Sequence, residues 1–160
     1  MKVIGYIGVP ACGKSTKMRE IISTLGEGTI EKQGMVSYHL FPEAKSIVMG
    51  VYDEKTFSGT DRLSMAIAVK FRDWAEKLLD EKYEDWTLYW EGQRFSTSPM
   101  FEFFYKNFDT TIYLLDTPQE VLDERQNDRG NVQSASFLKG SRTRVENLAA
   151  KFPAVVRVTP

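Results

Sequence analysis

Residues 8–15 read Gly8-Val9-Pro10-Ala11-Cys12-Gly13-Lys14-Ser15, directly after the apolar run Val3-Ile4-Gly5-Tyr6-Ile7. The pattern GxxxxGK[ST] between a strand and a helix constrains this chain more than any other segment, because it prescribes a strand, a tight loop and a helix start in fixed register. Gly8 and Gly13 permit backbone conformations and close approach that a Cβ would block. Loop N–H groups and the unpaired N–H groups of the first helical turn converge on an anion. Lys14 can reach the outer phosphates of a nucleoside triphosphate, and the Ser15 hydroxyl can ligand magnesium. The expected nucleotide-binding residues are therefore Gly8, Pro10, Ala11, Cys12, Gly13, Lys14, Ser15 and Thr16, with a nucleoside triphosphate and Mg2+ as ligands. The helix that follows carries Met18, Ile21, Ile22 and Leu25 on its apolar positions.

A chain of 160 residues, 42% hydrophobic and 27% charged, suits one domain (1–160) with a real core. No apolar run approaches the ~20 residues of a membrane span, so no membrane partner is expected. With a strand pattern at the very start, no cleaved leader is expected. One cysteine and one histidine provide neither an internal disulfide nor a zinc site. A cytoplasmic location is the expectation.

Net charge is −1, which by itself does not predict a nucleic-acid binder. The distribution is uneven. Residues 125–157 hold seven basic and two acidic side chains, a net of +5, against −6 over 1–124. A basic segment of this kind can serve a triphosphate, polymer phosphate, or both.

Strand candidates fall at 2–7, 35–41, 86–90, 110–115 and 154–158, with a shorter one at 47–52 that could pair locally or form a small flap. Helix candidates fall at 14–25, 61–82, 99–106, 118–128 and about 134–151. Their alternation implies an α/β fold with a parallel sheet covered on both faces, and ligands beyond the carboxyl ends of the strands. Along 61–82, Leu63, Ile67, Phe71, Trp74 and Leu78 form one apolar stripe. Thr117, Pro118 and Glu120 read as a capping box opening the helix at 118.

The residues after each strand are the chemical candidates. Glu91-Gly92-Gln93-Arg94 follows the third: Glu91 can organise magnesium or accept a proton, and Arg94 can clamp an acceptor or a transferring phosphoryl group. In Gly59-Thr60-Asp61-Arg62, Asp61 is an acceptor-site carboxylate and possible general base, and Arg62 a phosphate or base contact. Asp53 is a third acceptor-side carboxylate. Arg125 and Arg129 share a helix face and can supply cations to the reaction centre. The small, polar stretch after them suggests a lid over about 129–141, with Arg142 and Arg144 beyond it. His39 ends the second strand and is read as structural.

GVPACGKST, a carboxylate ending strand three, and TIYLLDTPQEVLDERQNDRG together resemble the nucleoside and nucleotide kinase group of P-loop proteins, the last segment being similar to the approach to the lid in thymidylate kinases. The resemblance implies a three-layer P-loop NTPase fold with a five-stranded parallel sheet of order 2-3-1-4-5, ATP with magnesium, and a moving lid. GVYDEKTFSGTDRLSM followed by YWEGQRF is further similar to phage-encoded kinases acting on 5-hydroxymethyl-deoxyuridine in DNA. That resemblance implies phosphorylation of the base's hydroxymethyl group, DNA containing 5-hydroxymethyluracil as partner, and a host cytoplasm as location. Ala11 stands where related loops commonly have glycine, and Glu-Gly-Gln-Arg departs from the acceptor motifs of small-nucleotide kinases.

A hydroxyl acceptor must lose a proton, whereas a phosphate acceptor mainly needs arginines. Carboxylates at both Asp61 and Glu91 favour a hydroxyl. The leading expectation is a kinase of 5-hydroxymethyluracil in DNA. The alternatives are a kinase of free nucleosides, nucleotides or a polynucleotide 5′-hydroxyl, and a nucleotide-dependent binding module without an acceptor.

Overall fold

A computed structural model describes residues 1–52, 59–128 and 133–159. Seven strands form one sheet: β1 (Lys2–Ile7), β2 (Thr29–Gln33), β3 (Val36–Phe41), β4 (Ser46–Met49), β5 (Thr87–Glu91), β6 (Asp109–Leu115) and β7 (Val156–Val158). Among the described residues five α-helices accompany them: α1 (Lys14–Thr24), α2 (Ile67–Ala75), α3 (Ser98–Asn107), α4 (Gln119–Asp128) and α5 (Ala135–Lys151).

The sheet order is β2-β3-β4-β5-β1-β6-β7. β4 is parallel to β5, β5 to β1, β1 to β6 and β6 to β7. β2 and β3 pair antiparallel, and β3 runs antiparallel to β4. This overturns the five-stranded, wholly parallel sheet expected from the sequence: the sheet is mixed and has seven strands. The cause is local. Segment 29–33 is polar, lacks the buried-strand signature, and was missed; it closes a hairpin on 36–41, which therefore runs against the rest. The shorter strand candidate at 47–52, expected to pair locally or form a small flap, is realised as the interior strand β4 at Ser46–Met49, with all four residues buried.

The two faces have separate cores. One gathers Val3, Ile7, Leu88 and Trp90 from the sheet under Phe71 of α2, Phe104 of α3 and Val145 of α5. The other gathers Tyr6, Val48 and Leu115 under Met18 of α1 and Leu122 of α4. Alternation along β1 sends Val3 and Ile7 to the first face and Tyr6 to the second, as the period-two pleat requires. Trp90 lies against Gly5 of β1, its register partner, where a Cβ would meet the indole ring at 2.4 Å. The stripe Leu63, Ile67, Phe71, Trp74 and Leu78 is buried as expected. It is not one helix, however: 3-10 turns at Thr60–Arg62, Glu76–Leu79 and Glu81–Tyr83 break the segment.

β1 and β5 lie side by side and end at the same edge, Tyr6 opposite Glu91. The phosphate-type loop that follows β1 and the carboxylate that closes β5 are thus brought together by register alone. Among the described residues, no helix is long and apolar enough to cross a membrane.

Candidate active site

The loop 8–13 links β1 to α1, and its carbonyls are held from several directions. The Lys14 ammonium donates to the carbonyls of Gly8 (3.1 Å) and Val9 (3.0 Å) and lies 3.6 Å from the Cys12 thiol. The Arg125 guanidinium donates to the Ala11 carbonyl (3.2 Å). The Thr117 hydroxyl donates to the Cys12 carbonyl (3.0 Å). Thr117 therefore ties the start of α4 to the loop, a role the capping-box reading of Thr117 and Glu120 did not include. Ala11 has φ 67°, a left-handed conformation that costs an L-residue about 1–2 kcal/mol.

α1 begins at Lys14 with no side-chain cap. Its first-turn N–H groups have no intrahelical acceptors, so they and the helix dipole present a positive end at the loop. Pro10 is half-buried, Ala11 and Cys12 are buried, and Thr16 is exposed in the first turn of α1.

Glu91 is the centre of the site. It is 1% exposed. The Ser15 hydroxyl donates to its Oε1 (3.1 Å), and so does the Tyr52 hydroxyl (3.3 Å). Burial pushes its carboxyl up to about 7, and the negative Asp61 adds to the rise; Lys14 and the bonds from Ser15 and Tyr52 act in the opposite direction. Burial and the adjacent Glu91 carry the Tyr52 hydroxyl well above its ordinary range, so it stays a neutral donor. Tyr52 is itself placed by His39, whose Nε2 accepts the Tyr52 backbone N–H (3.1 Å). His39, read from the sequence as structural, thus holds the backbone of Tyr52 beside Glu91.

Two segments thirty residues apart meet beside Glu91. The Thr60 hydroxyl donates to the Glu91 carbonyl. The Gln93 N–H donates to Asp61 Oδ1 (3.1 Å), and Arg94 Nε donates to the Leu63 carbonyl (3.4 Å). Gly59, at φ 72°, passes so close to the carboxylate that a Cβ would stand 2.2 Å from Glu91 Oε1. Only glycine fits this position. The Gly59 N–H and carbonyl bond to Val51, fixing that approach. Asp61 and Arg62 are both exposed, unlike Glu91.

The other arginines are spread more widely. Arg125 lies on the loop backbone. Arg142 is exposed, donates to Gln119 (2.5 Å), and shares a small cavity with Val9 and Thr117. Arg144 is exposed on α5. Asp53 and Arg129 lie outside the described residues, as do 130–132 of the expected lid. Residues 135–141 of that lid are the first turns of α5, capped by Ser134, which accepts the Phe137 N–H.

Sequence reasoning singled out Glu91, Asp61 and the loop, but missed Tyr52, Thr60 and the exact use of Gly59. The glycine in Gly59-Thr60-Asp61 was the available signal for the last two; Tyr52 gave none.

The residues present fit a nucleotide with magnesium. The donor set is a hydroxyl and a buried carboxylate bonded to each other at the mouth of a cationic loop. Among the described residues there is no group of three or more His, Cys, Asp or Glu side chains suited to a metal. Magnesium characteristically uses one or two carboxylates plus substrate phosphates and water, so Ser15 and Glu91 are a sufficient protein contribution. No protein-family model matches the chain, and no curated protein matches it.

Proposed function

We propose that the chain is an ATP-dependent kinase whose acceptor is a hydroxyl, the hydroxymethyl group of 5-hydroxymethyluracil in DNA. The observation that carries the kinase reading is the 3.1 Å bond between Ser15 of the loop and the buried Glu91 carboxylate. It joins a triphosphate-type cradle to a metal-type carboxylate, and an exposed second carboxylate, Asp61, stands beside them. The DNA acceptor is supported by the resemblance of the 50–65 and 89–95 segments. The hydrogen bonds of Thr60, Gln93 and Arg94 join those same two segments into one wall.

In this reading the loop N–H groups and Lys14 hold the triphosphate, and Ser15 and Glu91 hold magnesium. When bound, magnesium offsets charge on the phosphate oxygens. Asp61 is exposed and can meet an incoming substrate, so it accepts the proton of the acceptor hydroxyl. The new bond forms between that oxygen and the γ-phosphorus, the bond to the β-phosphate oxygen breaks, and a nucleoside diphosphate leaves. Glu91 is too deeply buried for this role and positions the metal side instead. Arg125 holds the loop in shape through Ala11.

The test is transfer of labelled γ-phosphate from ATP to four acceptors in parallel: ordinary DNA, DNA containing 5-hydroxymethyluracil, the free nucleoside, and its monophosphate. Label on the modified DNA alone is the expected result. Label on the nucleoside or monophosphate instead would move the protein to nucleotide metabolism. ATP hydrolysis with no labelled acceptor would reduce it to a binding module.

A further inference from the structure

Met65 is 78% exposed, the most exposed large apolar side chain among the described residues. It follows the 3-10 turn that carries Asp61 and leads into α2, where Val69 is 53% exposed. This cannot be a stray core residue, since Leu63 and Ile67, its neighbours two positions away on either side, are buried. From 62 to 72 the chain reads RLSMAIAVKFR, with three cations and no acid between Asp61 and Asp73, in a protein of net charge −1. Arg62 and Lys70 are exposed, and the half-buried Arg94 is bonded to this segment through the Leu63 carbonyl.

An apolar tip flanked by cations, four residues from an acceptor-side carboxylate, has a specific use if the acceptor is a base in DNA. A base in a duplex must leave the stack to be modified. Proteins that distort duplexes commonly insert an apolar side chain between base steps while cations hold the backbone. We infer that residues 62–70 form a double-stranded-DNA contact in which Met65 fills the space vacated by the extruded nucleotide and Lys70 binds a backbone phosphate. This rests on the kinase reading above and adds to it the form of the substrate, a duplex. Charge complementarity selects the partner: a purely apolar protein contact would not need an acid-free run of cations around the tip.

The experiment compares kcat/KM on a duplex carrying one 5-hydroxymethyluracil with that on the same modified strand alone. Met65→Ala removes an exposed side chain and leaves the core untouched. It lowers duplex turnover about tenfold and leaves single-strand turnover within about twofold. An equal loss on both substrates, or no loss on either, overturns the inference while leaving the kinase reading intact. Independently of catalysis, anisotropy titration of an unmodified duplex reads binding at several salt concentrations. Lys70→Gln reduces the salt slope by about 1. An unchanged slope, or a wild-type protein with no duplex affinity, also overturns it. A wild-type protein that binds duplex yet phosphorylates only the free nucleoside would instead overturn the acceptor assignment and leave the contact surface standing.

Discussion

The two halves of the site are built differently. The side proposed for the phosphates comes from one continuous stretch, 8–16, with its carbonyls held by Lys14 from within and by Thr117 and Arg125 from α4 and its approach. The side proposed for the acceptor comes from two stretches, 59–63 and 91–94, which are joined where Thr60 bonds the Glu91 carbonyl, Gln93 bonds Asp61 and Arg94 bonds the Leu63 carbonyl. Ser15 and Glu91 are the bridge between the halves. A continuous half can be formed by local sequence; a discontinuous one depends on sheet register and on a glycine thin enough to pass the carboxylate.

The comparison predicts that damage to one half should leave the other working. Lys14→Ala has the largest effect: phosphoryl transfer falls roughly 10³-fold, as expected for loss of a charge on the transferring group, while the thermal unfolding temperature and acceptor binding hold. Retention of more than about a tenth of the activity would remove Lys14 from the reaction.

Glu91 ties the halves together, and its burial makes a pH signature. Its carboxyl titrates near 4.5 unfolded and about 7 folded. Between those values the folded state keeps a proton that the unfolded state has lost. Stability from this group is therefore complete below about pH 4.5 and lost as pH rises through 7, on the order of 3 kcal/mol in all. Denaturant titration in chelator across this window should show that decline, and Glu91→Gln should flatten it. An identical slope in the variant would mean the carboxyl titrates normally.

Asp61→Asn should lower turnover about 10²-fold with ATP affinity unchanged, measured as a split between kcat and nucleotide binding. A fall in ATP affinity with turnover of bound substrate preserved would transfer Asp61 to the phosphate half. The smallest effect is of opposite sign. Ala11→Gly relieves the left-handed strain in the loop, offset by glycine's extra freedom when unfolded, for a net gain up to about 1 kcal/mol. A loss of stability would show that Ala11 carries packing worth more than its strain.

What was legible in the sequence follows the same division. The loop, its strand and its helix could be read because GxxxxGK[ST] is local and each residue type has one physical reason to be there. Glu91 could be nominated because it ends a strand beside the loop, and Asp61 because it stands in the first turn after Gly59-Thr60. Their contrast could not be read: both are carboxylates within two residues of a glycine, and only the fold buries one and exposes the other. The sheet was misread where the sequence is least typical of a strand. Thr29–Gln33 is polar because it is an edge, and edges need no apolar face on both sides. The break in 61–82 was invisible for a related reason: the apolar stripe satisfies burial equally well through 3-10 turns.

β1 is flanked by parallel strands on both sides and lies third from one edge of the sheet. In hydrogen-exchange terms its amides should be among the slowest in the molecule, because exposing them requires opening the seams with β5 and β6. The β2–β3 hairpin can fray at the far edge without touching those seams. Solvent can therefore sample that edge on short timescales while the strand ends that carry the phosphate loop and Glu91 keep their register until the whole sheet opens.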